Sequence, residues 1–184
     1  MTSAGTSLRS VRKSGTVPGR SFHEGRLAVC QFPCLINQRN VIFCFEMYSI
    51  KLEDDNYCFA CGRENPCGLK LSFHYSSASG GGKLTTEFTP VKMHQGYKDI
   101  THGGIITTVL DEAMIQAAIA EGINPVTAEI NIRFKKPLMA GEETIVTAEI
   151  TKRGTKLIEA FSSISKKKDG TVIAEAHAKL IPLK

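Results

Sequence analysis

Residues 103–121 are the stretch that most constrains how this chain folds, because they read as its one long helix and are apolar almost all the way round. Ile105, Ile106, Val109, Leu110, Ala113, Met114, Ala117 and Ala118 make one broad face, and Ile115, Ile119 and Ala120 extend it in the second half. Such a helix has to be covered on most sides. Glu121-Gly122 supplies its stop.

The segments around it read as strands. Leu69, Leu71, Phe73 and Tyr75 alternate with polar residues and predict a half-buried strand over 69–75. "SSASGGG" reads as a flexible connection, and "KLTTEFTP" as a second strand ended by Pro90. After the helix, "PVTAEINIRFKKP" sets Val126, Ala128, Ile130, Ile132 and Phe134 on one face. Thr127, Glu129, Asn131, Arg133 and Lys135 fall on the other. Three further strands are expected near 143–151, 155–166 and 171–181, the last two joined at Asp169-Gly170, a hairpin signal. Lys166-Lys167-Lys168 before that turn reads as a solvated loop. Successive strands with short turns predict an antiparallel sheet, hence an α+β fold with one helix to cover.

Charge narrows the function. The chain carries +5 overall, but residues 1–50 hold six basic and two acidic side chains against seventeen and sixteen in the remainder. The body is nearly neutral, tryptophan is absent and aromatics are sparse. Nucleic acid and membrane surfaces are therefore not expected partners. Residues 1–46 read as a flexible or non-native leader and 47–184 as the folded domain. All six cysteines lie within the first 67 residues with no secretory signal ahead of them, which predicts reduced thiols and a cytoplasmic protein.

The helix also carries the candidate chemistry. His102-Gly103-Gly104 opens it with backbone amides that no side chain shields, at the end whose dipole favours negative charge. Those are the parts of an oxyanion hole for attack on a thioester or ester carbonyl. Asp111, seven residues after Gly104, lies about two turns on and near the same face, where a carboxylate needs a partner or a cleft. Eight residues of helix span about 12 Å, too far for one carbonyl to touch both Gly103 and Asp111 of the same chain. A site shared between two chains, and hence a homodimer, is expected.

With "CFACGRENPCGLKL", "HQGYKDITHGGIITTVLDEAM" and "PVTAEINIRFKKPLMAGE" in view, the chain from Cys58 onward resembles the hotdog-fold acyl-CoA thioesterases of the phenylacetate-pathway (PaaI) type. The resemblance implies an antiparallel sheet wrapped around one central helix, assembled edge to edge as a dimer or a dimer of dimers. It implies hydrolysis of an acyl-CoA to a free acid and CoA, without a metal or other cofactor. It makes the Gly103 amide the oxyanion donor, Asp111 the general base or nucleophile, Thr127 its aide, and His102 the residue that shapes the helix start. Gln95 becomes the contact to the thioester carbonyl. His94, Gly104 and Glu112 fall around the substrate, and Lys135, Lys136, Lys152 or Arg153 near the CoA phosphates. A non-catalytic acyl-CoA-binding hotdog protein is the alternative, and the acid at 111 favours the enzyme.

Cys58, Cys61, Cys67 and His74 could in principle supply four zinc ligands, but only one tight pair is present. The segment is read instead as a turn whose cysteines pack or cover the site entrance. His177, on the polar face of the last strand, reads as an ordinary surface or interface histidine.

Overall fold

The computed structural model describes residues 53–78 and 81–183, so the expectation for residues 1–46 lies outside the described part of the chain. The elements run β1 (His74–Ala78), β2 (Gly81–Phe88), a turn of 3-10 helix (Lys92–His94), β3 (Gln95–Tyr97), β4 (Ile100–Thr101) and α1 (Gly103–Ala120). β5 (Pro125–Phe134), β6 (Thr144–Lys152), β7 (Ile158–Lys166) and β8 (Val172–Pro182) follow. Six strands form one antiparallel sheet in the order β1-β2-β6-β7-β8-β5, and β3 and β4 form a small separate hairpin. β1 and β5 are its edges.

The helix packs against β2, β5, β6, β7 and β8. Its buried face is Ile106, Val109, Leu110, Ala113, Met114, Ala117 and Ala118. The sheet meets it with Leu84, Val146, Ile158, Ile164 and Leu180 and with a run of small residues, Ala160, Ala174, Ala176 and Ala178. Alanines on both layers let backbones approach closely, and Leu110 and Met114 fill the space between them. The buried Ser162 hydroxyl donates to the Leu110 carbonyl at 3.1 Å, and the buried Thr86 and Thr144 hydroxyls donate to the Ser72 and Phe88 carbonyls, so these polar groups of the sheet have partners.

Two expectations near β1 are corrected. The regular strand begins at His74, not Leu69, because Lys70 takes a left-handed backbone (φ 57°) that interrupts extended geometry. Leu69 and Leu71 instead donate their amides to the carbonyls of Phe59 and Ala60. The serines and glycines read as a flexible connection are largely strand: Ser77 pairs with Gly82 and Ala78 with Gly81. A side chain at Gly82 would fall 1.6 Å from the Tyr75 hydroxyl, so glycine is what lets that ring lie across the pair. The hairpin at Asp169-Gly170 forms as expected, with Gly170 at φ 71°. The lysines before it are not simply solvated, since Lys166 pairs with Glu142 at 2.6 Å and Lys167 with Glu87 at 2.8 Å.

β5 matters most for the site. Thr127 pairs with Leu180 and Glu129 with Lys179, so Ala128 is an extra residue, a bulge. Beyond it Ile130, Ile132 and Phe134 lie opposite Ala178, Ala176 and Ala174 on the inner face. Unbroken alternation puts Thr127 on the outer face with Glu129. The bulge reverses that, and Thr127 turns toward the helix.

Candidate active site

His102 is the N-cap of α1, with extended backbone (φ −63°, ψ 134°), and its Nδ1 accepts the Gly104 amide at 2.8 Å. The amides of Ile105 and Ile106 reach the His102 carbonyl at 3.0 and 3.3 Å. Among the described residues the Gly103 amide alone of this first turn has no acceptor. His102 thus satisfies its neighbours and leaves one donor bare.

That amide opens on a cavity of about 450 Å³, bounded by Tyr97, Thr101, Gly103, Phe134, Lys136 and Leu138 among others. The Phe134 ring lies over Gly103, where a Cβ would sit 3.3 Å from its Cζ. Phe134 and Tyr97 are large apolar side chains left exposed. The Thr101 hydroxyl is buried in this wall and has no hydrogen-bond partner among the described residues. Nothing in the alternation of the sequence marked Thr101 or Phe134 as wall residues.

Two turns along the helix, the Thr127 hydroxyl donates to Asp111 Oδ1 at 2.7 Å. Sixteen positions apart, both named from the sequence, they are brought together by the bulge in β5. Burial raises the Asp111 carboxyl above its ordinary value, the Thr127 hydrogen bond pulls it back, and the charge of Glu112 adds to the rise. Asp111 lies outside the cavity at Gly103.

The other predicted residues disperse. Gln95 Oε1 accepts the Asp99 amide at 3.2 Å and holds the β3–β4 turn. His94 stacks on Phe88 with ring centroids 5.8 Å apart, and its Nδ1 accepts the Val91 amide. Burial lowers its basicity, and it lies outside the lining of the Gly103 cavity. Lys135 reaches the cavity wall but pairs with Glu175, whereas Lys136, also in the wall, has no ion-pair partner among the described residues. Arg153 grips Glu121 through two bonds of 2.8 and 2.6 Å at the C-terminal end of α1, roughly 26 Å of helix from Gly103. Lys152 pairs with Glu159 at 3.0 Å. Glu112 turns away from Asp111, accepting from Gln116 at 2.9 Å and facing Cys58.

One long helix in the curl of a six-stranded antiparallel sheet, its bare N-terminal amide facing a cavity, is the hotdog architecture, and the comparisons with known proteins agree. The thioesterase superfamily model matches residues 99–173. Acyl-coenzyme A thioesterase 13 of Mus musculus is 31% identical over 97 residues, which cover 52% of this chain and 69% of that protein. The crystal structure of thioesterase superfamily member 2 from Mus musculus superposes with a TM-score of 0.55 at 28% identity, covering 63% of this chain and 84% of that one. The PaaI protein of E. coli, from the phenylacetic acid degradation operon, shares the fold at 20% identity, with a TM-score of 0.54 over 59% of this chain and 82% of its own. This chain belongs to the thioesterase superfamily, and it is a thioester hydrolase.

Proposed function

We propose that this enzyme hydrolyses acyl-CoA thioesters to a free acid and CoA in the cytoplasm, at two equivalent sites, each built from two copies of the chain. The observation that carries the reading is the Thr127–Asp111 bond, which holds a half-buried, proton-avid carboxylate in one orientation. A superfamily relative named for acyl-coenzyme A supports the substrate class.

In the proposed reaction Asp111 takes a proton from water as its oxygen attacks the thioester carbonyl. The negative charge that forms on the carbonyl oxygen is met by the Gly103 amide of the other chain. Collapse of the tetrahedral intermediate expels the CoA thiolate, which takes the proton back from Asp111. Direct attack by Asp111, giving an anhydride that water then opens, uses the same geometry. Lys136 is the cation placed to meet a CoA phosphate beside the cavity.

β5 is a ten-residue edge strand whose outer side has no partner among the described residues, and it carries both halves of the site. Thr127 holds Asp111 near one end, and Phe134 covers Gly103 at the other. A twofold antiparallel pairing of two such edges, centred on Asn131, would set Phe134 beside the partner's Thr127 across the bulge, with Cβ atoms about 5 Å apart. It closes an exposed edge at the same time.

Release of free CoA thiol from a panel of acyl-CoAs, wild type beside Asp111→Ala, tests the reading. Turnover that disappears in the variant while CoA binding persists is the expected result. Turnover that survives the change contradicts the role of Asp111. A wild type that binds acyl-CoA without cleaving any of the panel speaks for the non-catalytic alternative.

A further inference from the structure

The turn ahead of β1 meets the middle of α1 at a cluster that the thioesterase reaction does not use. Cys58 Sγ, Cys61 Sγ and a Glu112 carboxylate oxygen all lie within 4.8 Å of one another, with Cys58 Sγ 3.9 Å from Glu112 Oε2. Both cysteines are free thiols. Cys67 and His74, the other ligands the sequence offered, do not join them. Glu112, from a helix fifty-four residues away, does.

The turn is built to present the two sulfurs together. The Gly62 amide closes it on the Cys58 carbonyl at 2.8 Å, and a side chain at Gly62 would fall 2.4 Å from both the Asn56 carbonyl oxygen and the Cys58 nitrogen. The Lys70 ammonium gathers the carbonyls of Gly62, Arg63 and Asn65. Asn65 binds back to the Tyr57 carbonyl at 3.0 Å, and its own side chain accepts the Cys67 amide. Lys70 is therefore committed to backbone, and the polar neighbour of the cluster is Gln116, an amide that donates to Glu112 at 2.9 Å and faces Cys61 at 3.9 Å. Two thiols and a carboxylate converge with no cation among the described residues to balance them. Ala60 and Leu71 of this segment are buried in the core, and Leu69 and Phe73 pack against it.

We propose that Cys58, Cys61 and Glu112 bind one zinc ion, which clamps the turn before β1 to the centre of the core helix. The donor set selects the metal. Two soft thiolates exclude calcium and magnesium, and the hard carboxylate disfavours copper(I). In a tetrahedral zinc site with bonds of about 2.3 Å to sulfur, the sulfurs sit about 3.8 Å apart, so closing the cluster needs at most about 1 Å of movement. Binding releases the two thiol protons to solvent, leaves two thiolates and the carboxylate on the metal, and gives the fourth position to water. The clamp acts on structure, and none of its three ligands takes a step in the reaction proposed above.

Zinc content of the full chain, purified under reducing conditions and dialysed against zinc, tests it by elemental mass spectrometry. About one zinc per chain is expected in wild type, Cys67→Ser and His74→Ala, and less than about a tenth in Cys58→Ser, Cys61→Ser and Glu112→Gln. Cobalt(II) should give thiolate charge-transfer absorption in wild type that Cys61→Ser loses, and a chelator should lower the melting temperature of wild type but not of Glu112→Gln. Circular dichroism on each variant separates lost metal from lost fold. A folded wild type that takes up no zinc overturns the proposal. So does zinc retained by Cys61→Ser, or a Cys58–Cys61 disulfide that persists under reduction.

Discussion

Two carboxylates occupy neighbouring positions in the middle of α1, one turned toward the bulged strand β5 and the other toward the turn that carries Cys58 and Cys61. A helical step of roughly 100° gives them different faces, and the partners on those faces give them different chemistry. Asp111 is half-buried against a hydroxyl that orients it, and burial favours its protonated form. Glu112 faces two thiols and an amide. The same acid functionality is thus suited to a base in one place and, as proposed above, to a metal ligand one residue later. Environment decides, not residue type.

The largest effect that sharpens this contrast is at Asp111. Asp111→Ala should lower kcat by about 10²–10⁴-fold, the range of a general base, with the circular dichroism spectrum and CoA affinity of wild type. Next comes the mouth of the helix. Gly103→Pro removes the bare amide at a position where proline suits the helix start, and His102 already has the extended backbone that a following proline requires. A fall in kcat of about 10²–10³-fold is expected, the cost of one oxyanion donor. Steady-state kinetics showing wild-type kcat in a folded Gly103→Pro would break the link between the two ends of the site.

A subtler effect is expected at Thr127. Thr127→Ala should slow turnover by roughly tenfold, in keeping with a hydrogen bond to a charged group. It should also move the acid limb of the kcat/KM–pH profile. In the proposed reaction Asp111 acts as carboxylate, so activity should fall as pH drops through its raised value, and the limb in wild type should lie above the ordinary value for an aspartate. Without the Thr127 bond, which lowers that value, the limb moves to higher pH. Thr127→Ser should restore it. Folding stability runs the other way: a carboxyl whose folded value exceeds the unfolded one binds protons better when folded, so its contribution grows on acidification through that window. Activity lost there is not unfolding caused by this group.

The smallest effect is expected at Arg153. It pairs with Glu121 at the far end of α1, and Arg153→Ala should cost about 1 kcal/mol of stability in a denaturant titration, the upper end for surface ion pairs, because the guanidinium is exposed while the Glu121 side chain is mostly covered. A many-fold rise in KM for acyl-CoA would instead show that the assembled enzyme brings this residue to a substrate phosphate.

Much of the fold could be read directly. The apolar run of α1, the Asp169-Gly170 turn and the alternation in the last three strands each left one reading open, because period and turn chemistry agreed. The bare amide at Gly103 followed from a histidine and two glycines at a helix start. What escaped were single-residue departures from regularity. The bulge at Ala128 costs one position and inverts the face of Thr127, and alternation has no way to register an inserted residue. Thr127 was named through resemblance, while its alternation pointed outward. The left-handed Lys70 ended a strand that its side chains still advertised. Glu112 met Cys58 and Cys61 because the turn folds back onto the helix, a contact that no local pattern encodes.

In the proposed enzyme each site takes its amide from one chain and its acid from another, which can be checked by mixing two inactive variants. Gly103→Pro and Asp111→Ala, unfolded together and refolded at equal concentration, should recover about a quarter of wild-type activity. Half the dimers are then mixed, and each mixed dimer keeps one intact site of two. A mixture that stays as inactive as its components, although mixed dimers form, would place both groups of the site within a single chain.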